Sequence, residues 1–158
     1  MKKIIKMMIT VLSLCLLVAC GSASSDELKT VKLAGEANGV YTEVVLEAQG
    51  DKVLKQTQIS SLSIEGYDDA TIETFKETLK QVEALYEDFD FATYSYEIKE
   101  DTIIETITMD LSTKENIKAV ADAQLLDIET DGEGEEAEYI SLKETVKNME
   151  DNLGLKQQ

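Results

Sequence analysis

The hydrophobic period of this chain switches from two to about 3.6 and back, and that switch restricts the fold more than any other feature. Val40, Thr42, Val44, Leu46 and Ala48 alternate with Tyr41, Glu43, Val45 and Glu47, the pattern of a strand with one buried face. Gln49-Gly50-Asp51-Lys52 then reads as a two-residue Gly-Asp hairpin loop, and Val53 to Ser60 as the returning strand. Upstream, Leu28 to Leu33 reads as a first strand and Ala37-Asn38-Gly39 as a turn. From Asp68 to Phe89 the apolar residues Ile72, Phe75, Leu79, Val82, Tyr86 and Phe89 recur at spacings of three and four. This predicts an amphipathic helix capped by Asp68 or Asp69. Flanking strands favour packing of its stripe on a sheet over a coiled-coil seam.

Phe91 to Ile98 and Thr102 to Leu111 predict a second hairpin around Lys99-Glu100-Asp101. Ser112-Thr113-Lys114-Glu115 has the form of a capping box, ahead of a helix with Ile117, Val120, Ala121 and Leu125 on one side. Ser141-Leu142-Lys143-Glu144 is a second box. It opens a last helix with Leu142, Val146, Met149 and Leu153 inward, closed at Gly154 with Leu155 folding back. The expected fold is α+β: an antiparallel sheet of about five strands, built from hairpins, with about three helices packed on one face. Residues 28–158 form one such domain.

Ahead of the domain lies an address. Met1-Lys2-Lys3-Ile4-Ile5-Lys6 is a short cationic segment, and Met7 to Ala19 an apolar stretch of roughly 13 residues, short of the roughly 20 that span a bilayer. It ends in Leu17-Val18-Ala19-Cys20, which resembles the lipobox of bacterial lipoproteins. The resemblance implies that residues 1–19 are a cleaved signal peptide and that the Cys20 thiol receives diacylglycerol. Two acyl chains then hold the protein, since one anchors only marginally. Residues 20–27 serve as lipidated cysteine and flexible tether with a reach of roughly 20 Å. Cys15 leaves with the leader and Cys20 becomes a thioether, so the mature domain is left with neither a free thiol nor a disulfide. The expected location is the extracytoplasmic face of the cell membrane. Gly21 after the lipidated Cys permits outer-membrane sorting in a host with two membranes.

Composition removes whole classes of chemistry. The chain has no His, Pro or Trp, and all 15 basic residues are Lys. Histidine bases and ligands and guanidinium clamps are thereby excluded, and with no His or free Cys left in the mature domain a zinc or copper site is not expected. Loss of Lys2, Lys3 and Lys6 leaves 12 Lys against 32 acids, a net charge of −20 on the mature chain. Nucleic acid is not an expected partner for such a surface, because phosphate binding needs clustered cations.

The most suggestive local pattern is Asp127-x-Glu129-x-Asp131-Gly132, with Glu133 next and Glu138 at the twelfth position, which follows the EF-hand calcium scheme. Glu129 replaces the usual Asp or Asn, and Gly134 stands where an apolar residue normally does. A solvated acidic loop is the plainer reading. Nucleophilic Ser-His and Cys-His pairs are impossible here. Carboxylate pairs for hydrolysis cannot be picked out from sequence spacing. Tyr41, Tyr67, Tyr86, Tyr94, Tyr96 and Tyr139 invite a stacking role. Tyr94 and Tyr96 share one strand face, where core or rim packing is the more ordinary use of a ring.

Four segments occur in order: the lipobox; Gly35-Glu36-Ala37-Asn38-Gly39-Val40-Tyr41-Thr42; Gly50-Asp51-Lys52-Val53 with Lys55-Gln56-Thr57; and Tyr139-Ile140-Ser141-Leu142-Lys143 before a helix and Gly154. Together they resemble the YehR-like family of small bacterial lipoproteins over most of residues 28 to 155. The resemblance implies an α+β lipoprotein of unestablished activity and brings no catalytic residues with it. The expectation is a monomeric, non-enzymatic binding or accessory module, anchored to the bilayer through Cys20, that contacts a protein or small molecule. No cofactor is expected. A calcium module through residues 127–138 and a small carboxylate-dependent hydrolase are the alternatives.

Overall fold

The computed structural model describes residues 15–17, 27–129 and 137–158. Three hairpins supply most of the sheet. β2 (Leu28–Ala37) turns through Asn38 and Gly39 into β3 (Val40–Gln49), and β3 through Gly50 and Asp51 into β4 (Lys52–Ser63). β5 (Ala92–Lys99) returns through Glu100 and Asp101 as β6 (Thr102–Asp110). Asn38 and Gly39 both take positive φ (54° and 79°), the requirement of a type I′ hairpin turn.

The strand order is β5-β6-β4-β3-β2-β9, where β9 is Lys156–Gln157. A further two-residue strand, β8 (Ile140–Ser141), pairs with Lys52 and Val53 at the start of β4. The sheet is therefore larger than the expected five strands. The two additions are so short that no periodicity marks them. A separate parallel pair joins β1 (Cys15–Leu17) to β7 (Asp127–Glu129). β1 falls in the segment read above as leader.

Helix α1 (Asp69–Tyr86) links β4 to β5 and packs on β5. Asp68 caps it, accepting from the Thr71 backbone N–H at 2.9 Å and the Thr71 hydroxyl at 2.9 Å. Those bonds hold the Asp68 carboxyl below its ordinary pKa, the backbone bond most of all. Phe89 falls in the turn beyond the helix and stacks on Phe91 with ring centroids 5.0 Å apart. Helix α2 (Lys114–Asp122) begins one residue later than the Ser112 capping box implied: Thr113 is the cap and accepts from Asn116 N–H. Ser112 instead gives its N–H to Asp110.

Helix α3 (Leu142–Leu153) starts as expected, with Ser141 Oγ accepting from Glu144 N–H at 3.2 Å. Asp51, from the β3–β4 hairpin, completes this cap. Its Oδ2 accepts from the Ser141 hydroxyl at 2.8 Å, and its Oδ1 from Lys143 N–H at 3.0 Å. Gly154, at φ 66°, ends the helix, and its N–H and that of Leu155 both return to the Met149 carbonyl. The buried face of α3 is Thr145, Asn148 and Met149, with Leu142, Val146 and Leu153 half-buried beside it.

All three helices contribute to one core on a single face of the sheet. Leu33, Val44, Leu46, Val53, Ile103, Ile107 and Met109 from the strands meet Phe75 and Leu79 of α1, Ile117 and Val120 of α2, and Met149 of α3. β4 reaches this face by an irregular route. Glu47 pairs with Lys55 but Ala48 with Val53, so Leu54 bulges out of the ladder. The bulge lets Val53 and Gln56, three residues apart, face the same interior.

Candidate functional site: a polar row on the inner face of the sheet

The sheet's register sets inward residues in rows that cross the strands. One row is Leu33, Val44, Gln58, Ile107 and Tyr94. The next is Gly35, Thr42, Ser60, Glu105 and Tyr96, each the direct cross-strand partner of the one before. A face covered by helices is ordinarily apolar throughout, so four polar side chains at one level are a departure. α1 packs over β5 at one end of this row, and the chain end leaving α3 packs over β2 at the other. Gly35 makes the second contact possible: a Cβ there would lie 3.0 Å from Leu155 Cδ2 and 3.2 Å from the Gly154 carbonyl oxygen. Between the two helices Thr42 is buried, whereas Ser60, Glu105 and Tyr96 are half-buried, so the row is partly open to solvent.

The chemistry of the row centres on Glu105. Tyr94 donates its hydroxyl to Glu105 Oε1 at 2.6 Å, a short charge-assisted bond, while Oε2 has no protein partner among the described residues. Desolvation raises the Glu105 pKa above its ordinary value, and the Tyr94 hydrogen bond opposes that rise. Burial, followed by the Glu105 bond, drives the Tyr94 phenol far upward. Tyr86, at the end of α1, lies against Tyr94 with ring centroids 5.4 Å apart. Burial and the Glu105 charge push its pKa to about 12. The Tyr86 hydroxyl is buried and has no partner among the described residues, and the same holds for both ends of the Gln56 amide and for the Thr145 hydroxyl. Gln58 donates from Nε2 to Ser60 Oγ at 3.3 Å. Leaving a buried polar group unpaired costs about 1 to 3 kcal/mol, so the Tyr86 hydroxyl, on the ring that packs against Tyr94, is a costly group for packing alone.

The tyrosines divide. Tyr86, Tyr94 and Tyr96 join in this cluster, with Tyr94 and Tyr96 centroids 6.3 Å apart. Tyr41 and Tyr67 are exposed, Tyr67 resting edge-on against Phe75, and Tyr139 is half-buried. The other sequence candidates lie apart from the row. Cys20, Asp131 and Glu133 are outside the described residues. Asp127 and Glu129 belong to β7, and Glu138 is exposed ahead of β8. An EF-hand needs a helix running into its loop, but α2 ends at Asp122 and an extended strand intervenes. Among the described residues, no group of three or more acids is placed to hold a metal ion. None of their helices is long and apolar enough to cross a membrane.

Sequence reasoning missed Ser60, Gln56, Gln58 and Glu105. For Glu105 a signal was present: it sits at an inward position between Ile103 and Ile107. For the β4 residues the Leu54 bulge concealed which parity faces inward.

Among proteins of known sequence, the chain is 28% identical over 137 residues to an uncharacterized lipoprotein of Listeria monocytogenes, covering 85% of this chain and 82% of that one. It is 29% identical over 136 residues to an uncharacterized lipoprotein of Listeria innocua, with the same coverage. Its fold is similar to the NMR structure of the Escherichia coli YehR protein, with a TM-score of 0.59 at 18% identity over 84% of this chain and 92% of that one. Residues 29–156 match the family described as a protein of unknown function, DUF1307, and the chain belongs to that family.

Proposed function

We propose that the protein is a non-enzymatic binding module, lipid-anchored through Cys20 on the extracytoplasmic face of the membrane, whose ligand sits on the row Thr42–Ser60–Glu105–Tyr96. The lipobox and the lipoprotein names of its Listeria relatives support the anchor. One observation carries the binding site: the half-open polar row itself, beside a buried Tyr86 hydroxyl that has no partner among the described residues. Glu105 is the row's sole carboxylate, whereas glycoside hydrolysis takes a pair, which favours binding over catalysis. A net charge of −20 on the mature chain turns the module away from nucleic acid. Calcium through Asp127, Glu129, Asp131, Glu133 and Glu138 has less support, because β7 extends the segment that an EF-hand would curl round its ion.

A photo-crosslinking residue at Ser60, with Ser95 on the opposite face of the sheet as control, tests the proposal in native membranes. A defined adduct at Ser60 alone is expected. Equal adducts at both positions, or none at Ser60, would overturn it.

A further inference from the structure

We infer that the polar row accepts an ammonium group, so that the ligand is a small organic cation held between Glu105 and Tyr96; this rests on the binding reading above. Every group the row presents is an acceptor, a hydroxyl or an aromatic ring. Among the described residues Glu105 Oε2 has no partner, and the Tyr94 hydroxyl fixes the other carboxylate oxygen at 2.6 Å. Gln58, in the neighbouring row, gives one of its two N–H groups to Ser60 Oγ at 3.3 Å. No member of the row is basic, so an anionic ligand would meet Glu105 without a counter-charge.

The rings point the same way. Tyr86, Tyr94 and Tyr96 form a continuous run beside the carboxylate, with successive centroids 5.4 and 6.3 Å apart. Tyrosine faces attract cations, the more so when solvent is partly excluded. Among the described residues no cation pairs with Glu105 to offset its loss of hydration, and a bound ammonium would supply that charge. The acidic surface adds reach, since a negative field concentrates small cations near the protein. A neutral polyol would satisfy the hydroxyls but leave both the desolvated carboxylate and the ring faces without a matching charge.

Tyrosine fluorescence offers the readout, because the chain has six Tyr and no Trp. The lipidated protein in nonionic detergent would be titrated with n-butylammonium, n-butanol, tetramethylammonium and N-acetylglucosamine. n-Butylammonium is expected to bind at least about tenfold more tightly than n-butanol, and more tightly than tetramethylammonium, which has no N–H to donate. Glu105→Gln should weaken n-butylammonium by about tenfold or more, and Tyr96→Leu by a few-fold. Glu97→Gln removes the same charge from the opposite face of β5 and should leave affinity unchanged. Circular dichroism of each variant confirms that it is folded.

Equal affinity for n-butylammonium and n-butanol, or full affinity in Glu105→Gln, would overturn the inference. Saturation by N-acetylglucosamine in its place would keep the binding site and dismiss the cation. No response to any probe, together with no adduct at Ser60, would remove the site as well.

Discussion

Asp51 joins two parts of the chain 90 residues apart, and its removal should cost more than a surface acid normally does. In Asp51→Ala the Lys143 N–H at the start of α3 loses its acceptor, and the Ser141 hydroxyl, on a residue only 1% exposed, is left without one. An N-cap interaction is worth about 1 kcal/mol, and a negative charge at a helix N-terminus adds about 0.3 to 1 kcal/mol. The stranded Ser141 hydroxyl brings the total to about 2 to 3 kcal/mol. Asp51→Asn keeps an oxygen for Lys143 and loses only the charge and one bond, so about 1 kcal/mol is expected. For a domain of this size the alanine variant should melt about 8 °C lower and the asparagine variant about 3 °C lower. Urea unfolding followed by circular dichroism gives the free energies directly. A loss below about 0.5 kcal/mol in Asp51→Ala would mean that water replaces the carboxylate freely, and the reasoning would fail.

The other predictions concern the row and its supports. Gly35→Ala would press a Cβ to within 3.2 Å of the Gly154 carbonyl oxygen, which is backbone and gives little, so a loss of about 1 to 3 kcal/mol in urea unfolding is expected. Glu105 has a folded pKa above its unfolded one, so the folded state binds the extra proton. Stability relative to a permanently neutral residue is full below the unfolded value of about 4.5 and declines as pH rises through the folded value. Glu105→Gln should therefore melt higher than the parent at pH 7, with the gap closing below about pH 4.5; a gap that widens on acidification would reverse the sign. Gln56→Met replaces an amide with no partner among the described residues at either end by a side chain of similar shape, and is expected to be neutral or stabilising by about 1 kcal/mol. A calorimetric calcium titration should give heats equal to those of buffer and of Glu138→Gln; saturable heat abolished in that variant would revive the acidic loop.

Local periodicity made much of this fold legible. The spacing from Ile72 to Tyr86 placed α1, and Ser141 and Gly154 marked the two ends of α3 because caps are local hydrogen-bonding events. The alternation from Val40 to Ala48 placed β3 with its inward face correct. What escaped was set by distant partners. β8 and β9 are strands only because Val53 and Ala34 are there to pair with them. Asp51 is read as a turn residue until its bonds to Ser141 and Lys143 are known. The polar row was hidden for a different reason: the bulge at Leu54 interrupts period two, so Gln56, Gln58 and Ser60 resemble an exposed face when read alone. Glu105 between Ile103 and Ile107 was the visible clue.

Intact mass measurement of the protein extracted from its own membranes tests the anchored module most directly. A chain beginning at Cys20 and heavier than its polypeptide by a diacylglyceryl group is the predicted result. A retained leader, or an unacylated terminus released to the medium, would contradict it and remove the surface on which the row is proposed to work.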